Sequence, residues 1–92
     1  MENKLSEYYI SIECDALKEM LLTKNMAYGD SALKPMRVFS KASTEEQLNV
    51  RIDDKLSRLK NNPNEDEDVI LDLLGYLILK RVYKKLSKEK TQ

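Results

Sequence analysis

Residues 69–79 read VILDLLGYLIL. Wound as a helix at about 100° per residue, Ile70, Leu71, Leu73, Leu74, Leu77 and Ile78 point in nearly every direction around the axis. A helix that is apolar on all sides has to be covered on more than one of them. The tract is too short to cross a bilayer and Asp72 interrupts it, so the cover has to be protein. Two partner helices from the same chain fall short of that. The expectation is a homo-oligomer whose subunits complete a four-helix or larger bundle.

The rest of the chain supplies the partners. Two glycines, two prolines and 35% charged residues agree with an all-α domain. Leu5, Tyr9, Ile12, Ala16 and Met20 recur at helical spacing and predict a first helix over about residues 5–26. Gly29 then offers the left-handed backbone that closes helices. Residues 30–42 are polar and irregular, with Pro35 inside and room for one helical turn. Ser43 and Glu46 form a capping-box pattern that opens a second helix, with Leu48, Ile52, Leu56 and Leu59 on one stripe. The stretch NNPN at 61–64 ends it. A third helix starts within NEDED, residues 64–68, and runs to about residue 88. The chain thus reads as one domain over 1–92, with a core of about 5–88 and a basic C-terminal end over 80–92.

Sixteen basic and sixteen acidic side chains cancel, so no global field draws the protein to nucleic acid or a membrane surface. Nucleic acid is not an expected partner: the C-terminal lysines are balanced by acid elsewhere and no recognition motif accompanies them. The single Cys14 cannot form an internal disulfide and suits a reducing cytoplasm. No signal peptide or membrane span is visible, and the expected location is cytoplasmic. Histidine is absent altogether. That excludes Ser-His-Asp and Cys-His catalysis, and with one cysteine it leaves structural zinc without ligands. A metal here would be held by oxygen, which means Mg²⁺ or Mn²⁺.

Several charges sit where leucines are expected. Glu13 falls at the centre of the first helix's apolar arc, flanked by Tyr9, Ala16, Leu17 and Met20, with Lys24 within about 20° of the same line. A buried carboxylate there needs a partner, so Glu13 is either one half of an ion pair, a wall of a solvated groove, or a ligand. Asp68 and Asp72 are four apart and share a face with Tyr76 and Tyr83, and Glu65 falls on the same line. Acidic residues opening a helix offset its dipole, which explains most of EDED but not Asp72, a full turn inside. Arg51, Asp54, Lys55 and Arg58 make a polar stripe on the second helix. The stripe reads equally as intrahelical ion pairs or as a phosphate clamp.

The segments ECDALKEMLLTKNMAYGDS, RIDDKLSRLKN and EDEDVILDLLGYLILK, together spanning roughly residues 11–80, resemble the phage and bacterial nucleotide modification associated domain. That domain is similar to the MazG-like all-α nucleoside triphosphate pyrophosphatases. The resemblance implies a nucleotide-binding protein, a Mg²⁺-dependent pyrophosphohydrolase of (deoxy)nucleotides acting in the host cytoplasm if phage-encoded. Carried over by position, Glu13, Asp68 and Asp72 would hold the metal, with Glu13, Asp72 and Lys55 catalytic. Lys24, Asn25, Tyr28 and Asp30 would lie beside the nucleotide, Lys55 and Arg58 toward phosphate, and Tyr28 or Tyr76 against the base. MazG-like enzymes usually carry E-x-x-E and E-x-x-D; here Ala16 follows Glu13 and the later spacing is D-x-x-x-D. The thinner carboxylate set keeps an alternative open, a non-catalytic protein that sequesters a nucleotide or nucleotide-derived signal. A third reading is an adaptor bundle in which Glu13 and Asp72 are simply paired with Lys24 and Lys55.

Overall fold

The computed structural model describes residues 2–61 and 68–90. Three helices make up the chain, α1 (Glu2–Tyr28), α2 (Thr44–Asn61) and α3 (Val69–Lys90). Among the described residues there is no strand, and no helix is long and apolar enough to cross a membrane.

The local signals at the helix ends operate through identifiable bonds. At the end of α1, Gly29 and Asp30 both take left-handed backbone, with φ of 60° and 64°. The Asp30 N–H donates to the Asn25 carbonyl at 3.2 Å, the long bond that closes a Schellman-type end. The Asp30 carbonyl then accepts the N–H groups of Leu33 and Lys34 at 3.1 and 3.0 Å, which makes the single turn expected in this loop. The Ser43 hydroxyl accepts the Glu46 N–H at 3.1 Å, so the capping residue read from the sequence caps α2. Asp68 does the same for α3, accepting the Leu71 N–H at 3.0 Å.

That last bond revises two expectations. With α3 starting at Val69, Asp72 belongs to the first turn, where the helix dipole still favours a carboxylate. Asp68 precedes the helix as its cap, so the two carboxylates do not share a helical face. Glu65 lies outside the described residues.

Helix α3 is the centre of the molecule. It packs extensively with α2 and meets α1 over a short stretch. The crossing with α1 is at Gly75, which is buried. A Cβ there would lie 3.0 Å from Met20 Cε and 3.2 Å from Leu21 Cδ2, so the missing side chain sets how closely the two helices approach. Leu48 of α2 and Val69 of α3 are the buried apolar side chains among the described residues. The α2 stripe is rotated from its expected position. Leu56 is half exposed and Lys55 is buried instead, because Lys55 faces Asp72 on α3. The N-terminal half of α1 packs on no other described element: Leu5, Tyr9 and Ile12 are exposed, and so are Ile70, Leu74 and Leu77 on the outer side of α3.

Candidate functional site

Each helix contributes one charged side chain to a common point. Asp72 of α3, with its side chain 14% exposed, lies 3.6 Å from the Lys55 ammonium of α2 and 3.4 Å from the Lys24 ammonium of α1. Lys55 is slightly more enclosed than Asp72, whereas the Lys24 side chain is 55% exposed. Asp72 and Lys55 therefore form the inner pair, in surroundings where attraction is weakly screened. Lys24 is an outer arm whose contact with Asp72 contributes little by itself.

Beside this cluster is a cleft of about 280 Å³. From the end of α1 and the loop that follows, Lys24, Asn25, Tyr28 and Ser31 form one wall. Arg51 enters from α2, and Asp72, Gly75 and Tyr76 come from α3. Met20, Leu21 and Leu79 form an apolar floor at the helix crossing. A second cleft of about 260 Å³ adjoins it beneath the 31–36 loop and shares Ser31, Ala32, Arg51 and Tyr76 with the first. The Arg51 guanidinium makes no hydrogen bond or ion pair among the described residues.

Six of the residues expected around a ligand thus line one cleft: Lys24, Asn25, Tyr28, Arg51, Asp72 and Tyr76. Lys55 is one contact behind, through Asp72. Others stand elsewhere. Arg58 pairs with Asp54 on its own helix at 3.3 Å and lines neither cleft, so for this pair the intrahelical reading holds. Asp30 also lines neither cleft; its backbone closes α1 and builds the turn. Glu13 is exposed on α1 and not on a buried arc, because the N-terminal half of that helix has no partner among the described residues. It stands 11 residues before Lys24, roughly 16 Å along the helix axis.

The expected metal triad is therefore not assembled within one chain. Asp68 is engaged as a cap, Glu13 is remote, and Asp72 is flanked by two ammonium groups. Among the described residues no three acidic or cysteine side chains gather to hold a metal ion. Mg²⁺ is usually bound by one or two carboxylates together with substrate phosphates, so the single carboxylate of this cleft is a poor fit.

Sequence reasoning missed the glycine. Gly75 carries no chemistry, yet it brings Met20 and Leu21 against α3 and so shapes the cleft floor. A glycine inside a helical pattern is itself the signal, since it costs helix stability and commonly marks a close approach. Gln47, which lines the second cleft, was missed as well. No pattern in the sequence separates it from other exposed polar residues.

Compared with known proteins, the chain matches no family model, no curated protein and no solved structure.

Proposed function

We propose that the protein binds a nucleotide in the cleft between α1, α2 and α3. The observation that carries this reading is the convergence of two cations, Lys24 and Arg51, with two tyrosines, Tyr28 and Tyr76, from three separate helices. Phosphate calls for Arg and Lys donors, and a base calls for an aromatic face. The cleft offers both within a volume at the lower edge of ordinary small-molecule sites. The resemblance to nucleotide modification associated domains supports the same ligand class. The binding protein is preferred to the hydrolase because Asp72 is flanked by lysines and is the one carboxylate among the described residues of the cleft wall.

Pyrophosphohydrolysis is the second reading, favoured by the half-buried Asp72 facing the cleft. It requires an assembly that brings Glu13, or another carboxylate, to Asp72 and so completes a Mg²⁺ or Mn²⁺ site. Homo-oligomerisation belongs to both readings. Calorimetry with a panel of (deoxy)nucleotides, with and without Mg²⁺, separates them when the recovered ligand is assayed for released pyrophosphate. Metal-independent binding of an intact ligand is the expected result. Turnover that disappears with chelator would establish the hydrolase, and no binding of any nucleotide would leave the adaptor bundle.

A further inference from the structure

The two clefts differ in where their charges lie, and the difference assigns an orientation. Lys24, Asn25 and Asp72 line the first alone, over its floor of Met20, Leu21 and Leu79; Pro35, Met36, Leu48 and Gln47 line the second alone. Arg51 and Tyr76 stand at the waist, lining both. We infer that the two clefts form one site for a nucleoside monophosphate, with the phosphate beside Lys24 and Arg51 and the base under the 31–36 loop, where Gln47 reads its edge. The inference rests on the nucleotide-binding reading and adds which phosphate state and which lobe.

Charge sets the phosphate state. Among the described residues Lys24 and Arg51 line the first lobe with one carboxylate, Asp72, which Lys24 and Lys55 both approach. A phosphate monoester carries a charge of about −1.5 to −2 at neutral pH, which Lys24 and Arg51 match. A triphosphate brings more negative charge than these two cations offset and needs a metal that this lobe is poorly built to hold. Arg51 suits the anchoring role because its guanidinium makes no hydrogen bond or ion pair among the described residues, and its planar fork can bind two phosphate oxygens at once.

The second lobe suits a base for complementary reasons. Tyr76 supplies a ring at the waist, Leu48 is the buried floor, and Met36 is an adaptable, 89% exposed cover. The Gln47 amide is held in one orientation, since its Nε2 donates to the Ala42 carbonyl at 2.9 Å. Its Oε1 has no partner among the described residues and is left to accept an N–H from the base edge.

The test compares nucleoside monophosphates with ribose 5-phosphate, which has the same phosphate and no base. Titration calorimetry of the full chain without metal is expected to show tighter binding of a monophosphate than of the matching triphosphate. Gln47→Leu should weaken the monophosphate by about tenfold and leave ribose 5-phosphate unchanged. Met36→Ala, at an exposed position that leaves folding alone, should act in the same direction. Arg51→Gln should weaken both ligands together. If nucleotides bind but Gln47→Leu and Met36→Ala leave the ratio of the two affinities unchanged, the assigned orientation is wrong. Metal-free preference for the triphosphate would overturn the assigned phosphate state. A wild-type protein that binds no nucleotide at all would overturn the parent reading and this one with it.

Discussion

Asp72 is the residue on which the readings divide. As a metal ligand it would be needed for turnover, and its replacement would abolish it. As the counter-ion of Lys24 and Lys55 it competes with an incoming phosphate for the same cations. Asp72→Asn is therefore expected to strengthen metal-free nucleotide binding while weakening the fold by about 1–3 kcal/mol, since Lys55 loses one charged neighbour in a partly dry setting. Urea denaturation and calorimetry on the same preparation read both effects, and parallel losses of stability and affinity would contradict the counter-ion role. Asp72 was conspicuous in the sequence because it breaks an apolar run. Lys24 and Lys55 are the cations that the adaptor reading pairs with Glu13 and Asp72, and both meet Asp72, though the stripe with Arg51, Asp54 and Arg58 gives no sign that Lys55 is turned inward. Only the packing of α2 on α3 turns Lys55 inward and sends Leu56 out. Lys24 was placed by its stripe with Glu13, yet it ends beside Asp72, far along the helix from Glu13.

At the scale of the elements, the parts controlled by neighbouring residues were readable and the crossings were not. The Ser43 cap and the Gly29 stop depend on contacts within a few residues, so sequence pattern suffices to locate them. Asp68 was weighed as a ligand and as a dipole partner, and the bond to Leu71 places it with the caps. Ser43→Ala and Asp68→Ala should each cost about 1 kcal/mol in chemical denaturation. Asp68→Ala should leave nucleotide affinity unchanged, which a metal ligand would not. The approach of α1 to α3 depends on residues more than fifty positions apart, and no local pattern encodes it. Gly75→Leu forces a side chain into the space held by Met20 and Leu21. Overpacking of this kind costs about 1–3 kcal/mol. The predicted consequence is loss of ligand affinity, because the cleft floor is the crossing itself. Binding retained at wild-type strength would mean that the ligand sits elsewhere.

The whole molecule is open for a chain of its length. Its radius of gyration is 15.6 Å, against about 12 Å for a compact chain of this length. Its accessible surface is 7806 Å², against about 5,500 Å² expected for a folded monomer of 10.7 kDa. The excess, about 2,300 Å², is of the size that each partner contributes to a large obligate interface. The exposed side chains at Leu5, Tyr9 and Ile12 on α1 and at Ile70, Leu74 and Leu77 on α3 are the surfaces such an interface would cover. Sedimentation equilibrium is expected to give at least twice the chain mass at micromolar concentration, and Leu74→Glu or Leu77→Glu to lower it. A wild-type monomer would contradict this. The apolar tract at 69–79 announced the need for cover, but a single sequence carries no record of how copies are arranged. Nucleotide binding in the cleft beside Asp72 is tested by an amide NMR titration of the isotopically labelled protein with a nucleoside monophosphate. Shifts concentrated at Asn25, Ser31, Ala32, Gln47, Arg51 and Tyr76, the residues of the two lobes, are the predicted result. Shifts confined to the basic end of α3, or no saturable shifts at millimolar ligand, would contradict it.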